Sequence, residues 1–359
     1  MSKLDNLGNV LIRSDLNVPI KNGEITDNFR ILKSVEILES ILDKSRTITF
    51  TSHMGRPNGK DLNLSLRPVA ESMSDFLGKE VRFIEEVFGE KVEEQIEKSE
   101  SKIFLLENLR FEKGEIENDN EFSNQITKPF NSYIFDAFGA AHREHASVVS
   151  FGENLESFQG PLMDKEIHEL DRLLNNSESG YAVLLGGAKI SDKLNLIEKL
   201  LPKVEYLMVG GGMCFTLLKA LGHEIGRSLL EESFISKAEE LLNSRFGKKI
   251  ILPTDFGVTE SIDSSVRENV KLDDFKNNHI GVDIGPQTVS NFRKILKKSN
   301  NIFWNGPMGI FEKEAFSYGT KEITEIISNS SAYTCIGGGD SVSAINKFSD
   351  KKNFNHIST

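Results

Sequence analysis

The stretch Leu184-Leu185-Gly186-Gly187-Ala188-Lys189-Ile190-Ser191-Asp192-Lys193 decides how this chain folds. The apolar run over 181–185 reads as a strand, two glycines end it, and Ile190, Leu194, Ile197 and Leu200 follow at helical spacing. Strand, glycine turn and helix in succession make the unit of a parallel α/β sheet. On this reading the helix starts directly after the glycines. Its free amides and positive dipole end then attract an anion, and Lys189 and Lys193, four apart, share one helix face. The spacing is not that of a P-loop, and Gly-Gly after a strand also serves as a plain tight turn, so the stretch alone leaves a phosphate site and a turn both open.

Working outward, the same alternation runs through the chain. Strand patterns at 10–14, 47–51, 81–84, 103–106 and 133–135 alternate with helical patterns at 29–42 and 66–77. A stretch without periodicity, 136–159, precedes a helical pattern at 162–174. Strand patterns then resume at 182–185, 206–209, 250–252, 280–282, 302–304 and 334–336. The economical reading is α/β: two Rossmann-like lobes, each a mainly parallel sheet flanked by helices, with a cleft between them and the helix from Leu162 as connector or hinge. Gly160-Pro161 breaks the chain before that helix, so the lobes are expected at 1–158 and 159–359. A chain of 359 residues exceeds the usual size of one core, which agrees with two domains.

Composition narrows the partners. With 38% hydrophobic and 27% charged residues the chain reads as a soluble globular protein, and a net charge of −11 argues against a nucleic-acid binder. Any anion site must be a local concentration of positive charge. Cys214 and Cys335 lie in apolar patterns and are expected as buried thiols of a reducing cytoplasm. The start of the chain has no apolar signal core, and the apolar stretch over 206–218 is short and broken by Gly210, Gly211 and Gly212, so no membrane partner is expected.

Residues able to do chemistry follow the strands, where an open parallel sheet binds its ligands. In the first half these are Asp15 and Asn17, His53 and Arg56, Arg110, then His142 and Arg143, with Arg30 opening the first helix. So many basic side chains at one sheet edge point to a small, multiply charged anion. In the second half the followers are glycine turns at Gly186-Gly187, Gly210-Gly211-Gly212, Asn305-Gly306-Pro307 and Gly337-Gly338-Gly339-Asp340, a set suited to a nucleotide with a metal ion. Each of these residues alone has a plainer reading as a surface arginine, a loop histidine or a helix cap.

In order along the chain, these motifs resemble phosphoglycerate kinase. The stretches that carry the likeness are Arg13-Ser14-Asp15-Leu16-Asn17-Val18-Pro19, Ser52-His53-Met54-Gly55-Arg56-Pro57, Leu106-Glu107-Asn108-Leu109-Arg110-Phe111, Asp136-Ala137-Phe138-Gly139 with Ala141-His142-Arg143, and the four glycine turns, the third extended by Met308-Gly309 and Phe311-Glu312. The resemblance implies a kinase moving the acyl phosphate of 1,3-bisphosphoglycerate to MgADP, giving 3-phosphoglycerate and MgATP, in a cytoplasmic monomer. It implies that Asp15, Asn17, Arg30, His53, Arg56, Arg110 and Arg143 hold the phosphoglycerate. Gly187, Lys189, Lys193, Gly211, Gly212, Asn305, Pro307, Glu312, Gly337, Gly338, Gly339, Asp340 and Ser341 would hold the nucleotide, with Asp340 toward Mg2+. Arg30, Lys189, Gly338 and Gly339 would serve the phosphoryl group in transfer. No general base stands beside the basic cluster, which suits a nucleophile that is already an ionised carboxylate.

Three positions depart from the family's pattern. Ser341 replaces the common threonine and keeps its hydroxyl. Pro161 stands where a large apolar residue is usual, and fixing φ there is expected to alter closure. Family chains run past the equivalent of Thr359 into a closing segment, so a non-catalytic or weakly active binding protein is the alternative expectation.

Overall fold

The computed structural model describes residues 6–21, 23–175 and 180–358. Two compact units divide between His168 and Glu169. The division falls ten residues beyond the expected 158/159 boundary, inside the helix Pro161–Asn175. The shift has a local cause. The strand Glu156–Gln159 pairs in parallel with Ser132–Asp136, and Asp136 Oδ1 accepts from the Leu162 and Met163 amides at 2.8 and 3.0 Å, so the start of the helix is tied to the first sheet. Pro161 is the first residue of that helix, where its missing N–H is no loss.

The first unit is built on a six-stranded parallel sheet. Its spatial order is Val81–Ile84, Ile103–Leu106, Ser45–Thr51, Gly8–Ser14, Ser132–Asp136, Glu156–Gln159. Helices cover both faces. Val10, Ile12, Ile48 and Phe50 pack into one core, Leu11, Phe104, Leu106 and Tyr133 into the other, which is why these strands read as unbroken apolar runs. Chain order reverses at Gly8–Ser14, with later strands on either side, so a crevice opens beyond its carboxyl end. The expected helix over 29–42 is two short helices, Phe29–Val35 and Leu38–Ile41, separated by a tighter turn in which the Glu39 and Ser40 amides bond three residues back. The strand Glu156–Gln159 carried no apolar signal because it is an exposed edge.

The second unit repeats the plan. Its parallel sheet has the order Ile250–Ile251, Tyr206–Val209, Tyr181–Leu185, Asn301–Asn305, Tyr333–Gly337, His356–Ile357, and reverses at Tyr181–Leu185. Val183 and Leu185 face one core, Ala182, Leu184 and Trp304 the other. Cys214 and Cys335 are both buried as thiols. Two expectations need correction. Ile280–Ile284 does not continue the parallel alternation; it pairs antiparallel with Asp255–Thr259, which pairs with Glu268–Lys271 in a separate three-stranded sheet. No helix of crossover length separates these strands, and parallel pairing needs one. The helix after Gly186-Gly187 does not start at once: it is Leu194–Leu200, and 186–193 is an irregular loop, so Lys189 and Lys193 do not share a helix face.

Candidate active site

In the first unit the predicted residues meet around one buried histidine. His53 Nδ1 lies 2.8 Å from Arg13 Nη2; a guanidinium only donates, so Nδ1 accepts and the ring proton sits on Nε2. Burial, then the charges of Arg13, Arg110, Arg143 and Arg30, pushes the imidazole far below its ordinary value, so His53 is neutral. Arg110, also buried, donates from Nη1 to the Gly55 carbonyl at 2.6 Å. Burial first, then Arg143 and Arg13, with Arg56 adding and Glu115 opposing, pulls its guanidinium down to about 10. Arg110 Nε and Nη2 and Arg143 Nε are buried and have no hydrogen-bond partner among the described residues.

The rest of the cluster is held by the strand ends. Arg30 Nη1 bonds Asp15 Oδ1 at 3.0 Å and the Asn17 carbonyl at 3.1 Å, and Asn17 Oδ1 accepts from the Gly55 amide at 3.0 Å. Asp15, Asn17, Arg30, His53 and Arg110 thus share one neighbourhood, and Arg143 and Arg56 lie near enough for their charges to act on Arg110. Arg56 is exposed at the rim, and His142, also exposed, belongs to the same edge. Three buried, charge-bearing donors without partners are an arrangement that oxygen anions complete, because unpaired buried N–H groups are costly and guanidinium–oxyanion bonds are strong.

In the second unit the glycine turns nest against one another. Gly186 and Gly187 amides donate to the Asn305 and Pro307 carbonyls at 3.0 and 2.9 Å, and the Gly211 amide to Met308 at 3.0 Å. A Cβ on Gly186 would lie 2.1 Å from the Pro307 carbonyl oxygen, and Gly211, at φ +64°, would bring one within 2.5 Å of the Gly187 oxygen. A Cβ on Gly212 would come 2.9 Å from the Ala188 carbonyl oxygen. These positions therefore admit glycine only. Ser341 Oγ accepts from the Gly306 amide at 2.6 Å, which fixes the third turn against the helix Gly339–Phe348.

Lys193 donates to Asn305 Oδ1, and burial lowers its pKa against the opposing charges of Asp192 and Asp340. Asn305 also sits under the fourth turn, since a Cβ on Gly337 or Gly338 would meet its amide at 3.0 Å. Lys347 Nζ bonds the Phe311 and Glu312 carbonyls at 2.8 and 3.1 Å, leaving the Glu312 side chain exposed. Lys189, Gly338, Gly339 and Asp340 are exposed as well, and Pro307 and Gly337 are buried. The fourth turn opens the ten-residue helix Gly339–Phe348, whose N-terminus carries no side-chain cap. What the second unit offers is a glycine-lined edge with two lysines, a carboxylate and a hydroxyl.

The model of the family described as phosphoglycerate kinase matches residues 4–359. The chain belongs to the phosphoglycerate kinase family. The phosphoglycerate kinase of Dictyoglomus turgidum is 43% identical over 355 residues, covering 98% of this chain and 90% of the relative. That of Thermus thermophilus is 42% identical over 358 residues, covering 98% and 91%. Among solved structures, phosphoglycerate kinase from Coxiella burnetii aligns with a TM-score of 0.83 at 34% identity, and that from Pyrococcus horikoshii with 0.86 at 30%, each over 99% of this chain and 91% of the other. The alternative of an inactive binding protein has no support among these relatives. Thr359, where that alternative began, lies outside the described residues.

Two supporting residues were not assigned from the sequence. Arg13, 1% exposed, donates to Ser147 Oγ at 2.9 Å, to the Ser14 carbonyl at 2.6 Å and to Ser52 Oγ at 3.2 Å besides holding His53. Glu115, fully buried, accepts from the Ser147 amide and hydroxyl at 3.0 and 2.7 Å and lies 3.5 Å from His145 Nδ1. An arginine inside an otherwise apolar strand was the available signal for the first. Glu115 lies in the charged run Glu112-Lys113-Gly114-Glu115-Ile116-Glu117 and had none.

Proposed function

We infer that this chain catalyses reversible transfer of the acyl phosphate of 1,3-bisphosphoglycerate to MgADP, giving 3-phosphoglycerate and MgATP. The observation that carries the reading is the set of unpartnered buried donors, Arg110 Nε and Nη2 and Arg143 Nε, around a neutral His53. Oxygen anions supply the acceptors those groups lack. Asp15 and Asn17 would position Arg30 and the Gly55 turn, His53 would donate from Nε2, and Arg56 would close the rim. On the nucleotide side Gly187, Gly211, Gly212, Pro307, Lys193, Asn305, Glu312, Gly337 and Ser341 would hold the nucleotide.

Chemistry in this reading is positioning and charge stabilisation. The nucleophile toward ATP is the substrate's carboxylate, ionised near neutral pH, so no protein base is required. Arg30, Lys189 and the amides of Gly338 and Gly339 would meet charge developing on the transferring oxygens. Magnesium fits the donor set: among the described residues there is no cluster of three metal-ligating side chains, but Asp340 is an exposed carboxylate at a helix start, and magnesium is commonly held by one or two carboxylates with substrate phosphates and water. When bound, it would neutralise the nucleotide's phosphate charge. Because the two sets of residues belong to different units, in-line transfer needs the substrates brought together, and the helix Pro161–Asn175, divided between the units after His168, is the candidate hinge.

Function as a cytoplasmic monomer completes the proposal; among the described residues no helix is long and apolar enough to cross a membrane. A coupled assay with ATP, magnesium and 3-phosphoglycerate is decisive, and absence of turnover would refute the reading. Lys189→Ala should lower kcat far more than it raises KM for either substrate, since its charge acts chiefly in the transition state.

A further inference from the structure

The loop over 186–193 carries both lysines of the nucleotide site and has little regular bonding of its own. At its start the Gly186 and Gly187 amides are tied to the neighbouring turn, and at its end the Lys193 amide bonds Ile190 at 3.0 Å. Between these points the Ile190 side chain is buried in the core, and the backbone after it is held by a carboxylate. Glu231 Oε2 accepts from the Ser191 amide at 3.0 Å and Oε1 from the Ser191 hydroxyl at 2.6 Å.

Glu231 is itself anchored. Its amide donates to Thr216 Oγ1 at 3.2 Å, and Thr216 is a buried residue of the helix Cys214–Ala220. Burial works to raise the Glu231 pKa, but the Ser191 hydroxyl and amide, the Ile190 amide and the charge of Lys189 outweigh it and hold the carboxyl below its ordinary range. Neither the family motifs nor the site described above uses Glu231.

We propose that Glu231 is a positioning residue for phosphoryl transfer, bracing Ile190-Ser191 so that Lys189 is presented to the transferring phosphate. The inference rests on the phosphoglycerate kinase reading of the site. An error of about 1 Å in placing a group that acts in the transition state can cost on the order of a hundredfold in rate. Glutamine at 231 accepts from the Ser191 amide with its oxygen and donates from its NH2 to the Ser191 hydroxyl, so both contacts persist but lose the carboxylate charge that strengthens them.

The test is steady-state kinetics on the full chain with Glu231→Gln, Glu231→Asp, Lys189→Ala and the Glu231→Gln/Lys189→Ala double variant, with thermal melts confirming that each folds. Glu231→Gln is expected to lower kcat by about tenfold, the worth of the charge assistance lost from two hydrogen bonds, while KM for 3-phosphoglycerate stays within about twofold. Glu231→Asp, which keeps both oxygens, should recover part of the loss. In the Lys189→Ala background Glu231→Gln should change kcat less than about twofold, because its effect runs through the lysine. Wild-type turnover with an unaffected Glu231→Gln overturns the inference alone, as does an equal loss with and without Lys189. A wild-type chain without turnover overturns the kinase reading and the inference together.

Discussion

A neutral buried His53 has a measurable consequence for stability. In the folded chain its pKa lies far below the ordinary 6.5, driven first by burial and then by Arg13, Arg110, Arg143 and Arg30. In the unfolded chain the ring titrates normally. Below pH 6.5 the unfolded state therefore binds a proton that the native state refuses, and stability falls as pH falls; above 6.5 the term vanishes. Each pH unit below that point costs about 1.36 kcal/mol, so His53 alone removes about 2 kcal/mol between pH 7 and pH 5. His53→Gln keeps an acceptor toward Arg13 and a donor on the far side but cannot titrate. Urea titrations by far-ultraviolet circular dichroism at both pH values should give a wild-type loss larger than that of His53→Gln by this amount. Buried Asp136 and Asp283, whose carboxyls burial pushes up to about 6 and about 7, act in the opposite direction and cancel in the comparison. The direct check is ¹³C-histidine NMR: the resonance missing in His53→Gln should stay unprotonated down to pH 5 in the ligand-free wild type. Titration with a midpoint near 6.5 would refute the argument.

Other perturbations follow from the same geometry. Arg110→Met removes a buried cation with two orphaned nitrogens, so the ligand-free variant should melt at or above the wild-type temperature yet lose the stabilisation by 3-phosphoglycerate; a lower melting point with retained ligand protection would contradict this. Asp136→Asn keeps the helix cap but removes a carboxyl whose ionised form burial disfavours, so its stability relative to wild type should grow by roughly 2–3 kcal/mol from pH 4 to pH 7.5, and a flat difference in urea titrations would rule it out. Gly211→Ala forces a side chain at φ +64° against the Gly187 backbone at 2.5 Å; it should abolish the thermal shift given by MgADP while leaving that given by 3-phosphoglycerate, and unchanged nucleotide protection would show the turn tolerates a Cβ.

Sequence patterns revealed the central strands, because parallel strands buried on both faces must be apolar throughout, and they located the residues that follow those strands at one sheet edge. The pattern failed where burial is one-sided or the local signal is weak. Glu156–Gln159 is an exposed edge strand, and Glu268–Lys271 has a single buried residue, Val270. The loop before Leu194–Leu200 is bonded at Ser191 by Glu231, forty residues away, which no local window contains. Glu115 was invisible for a related reason, since its partner Ser147 is distant along the chain, whereas Arg13 could be singled out only as a charge inside an apolar strand.

The same buried groups explain how an acidic chain makes a strongly cationic site. Around His53, the five arginines 13, 30, 56, 110 and 143 face only two carboxylates, Asp15 and Glu115, leaving a surplus of about three positive charges. A phosphate monoester carries about −2 near neutral pH, and a carboxylate one more, so 3-phosphoglycerate matches that surplus almost charge for charge. The pairing of Glu115 with Ser147, and of Ser147 with Arg13, keeps the deepest arginine in place without the substrate. Arg110 and Arg143 keep buried donors without partners among the described residues. On the proposed reading, repulsion among the arginines would be a cost carried by the ligand-free chain and relieved by the substrate, so part of the binding free energy would be stored in the fold before any ligand arrives.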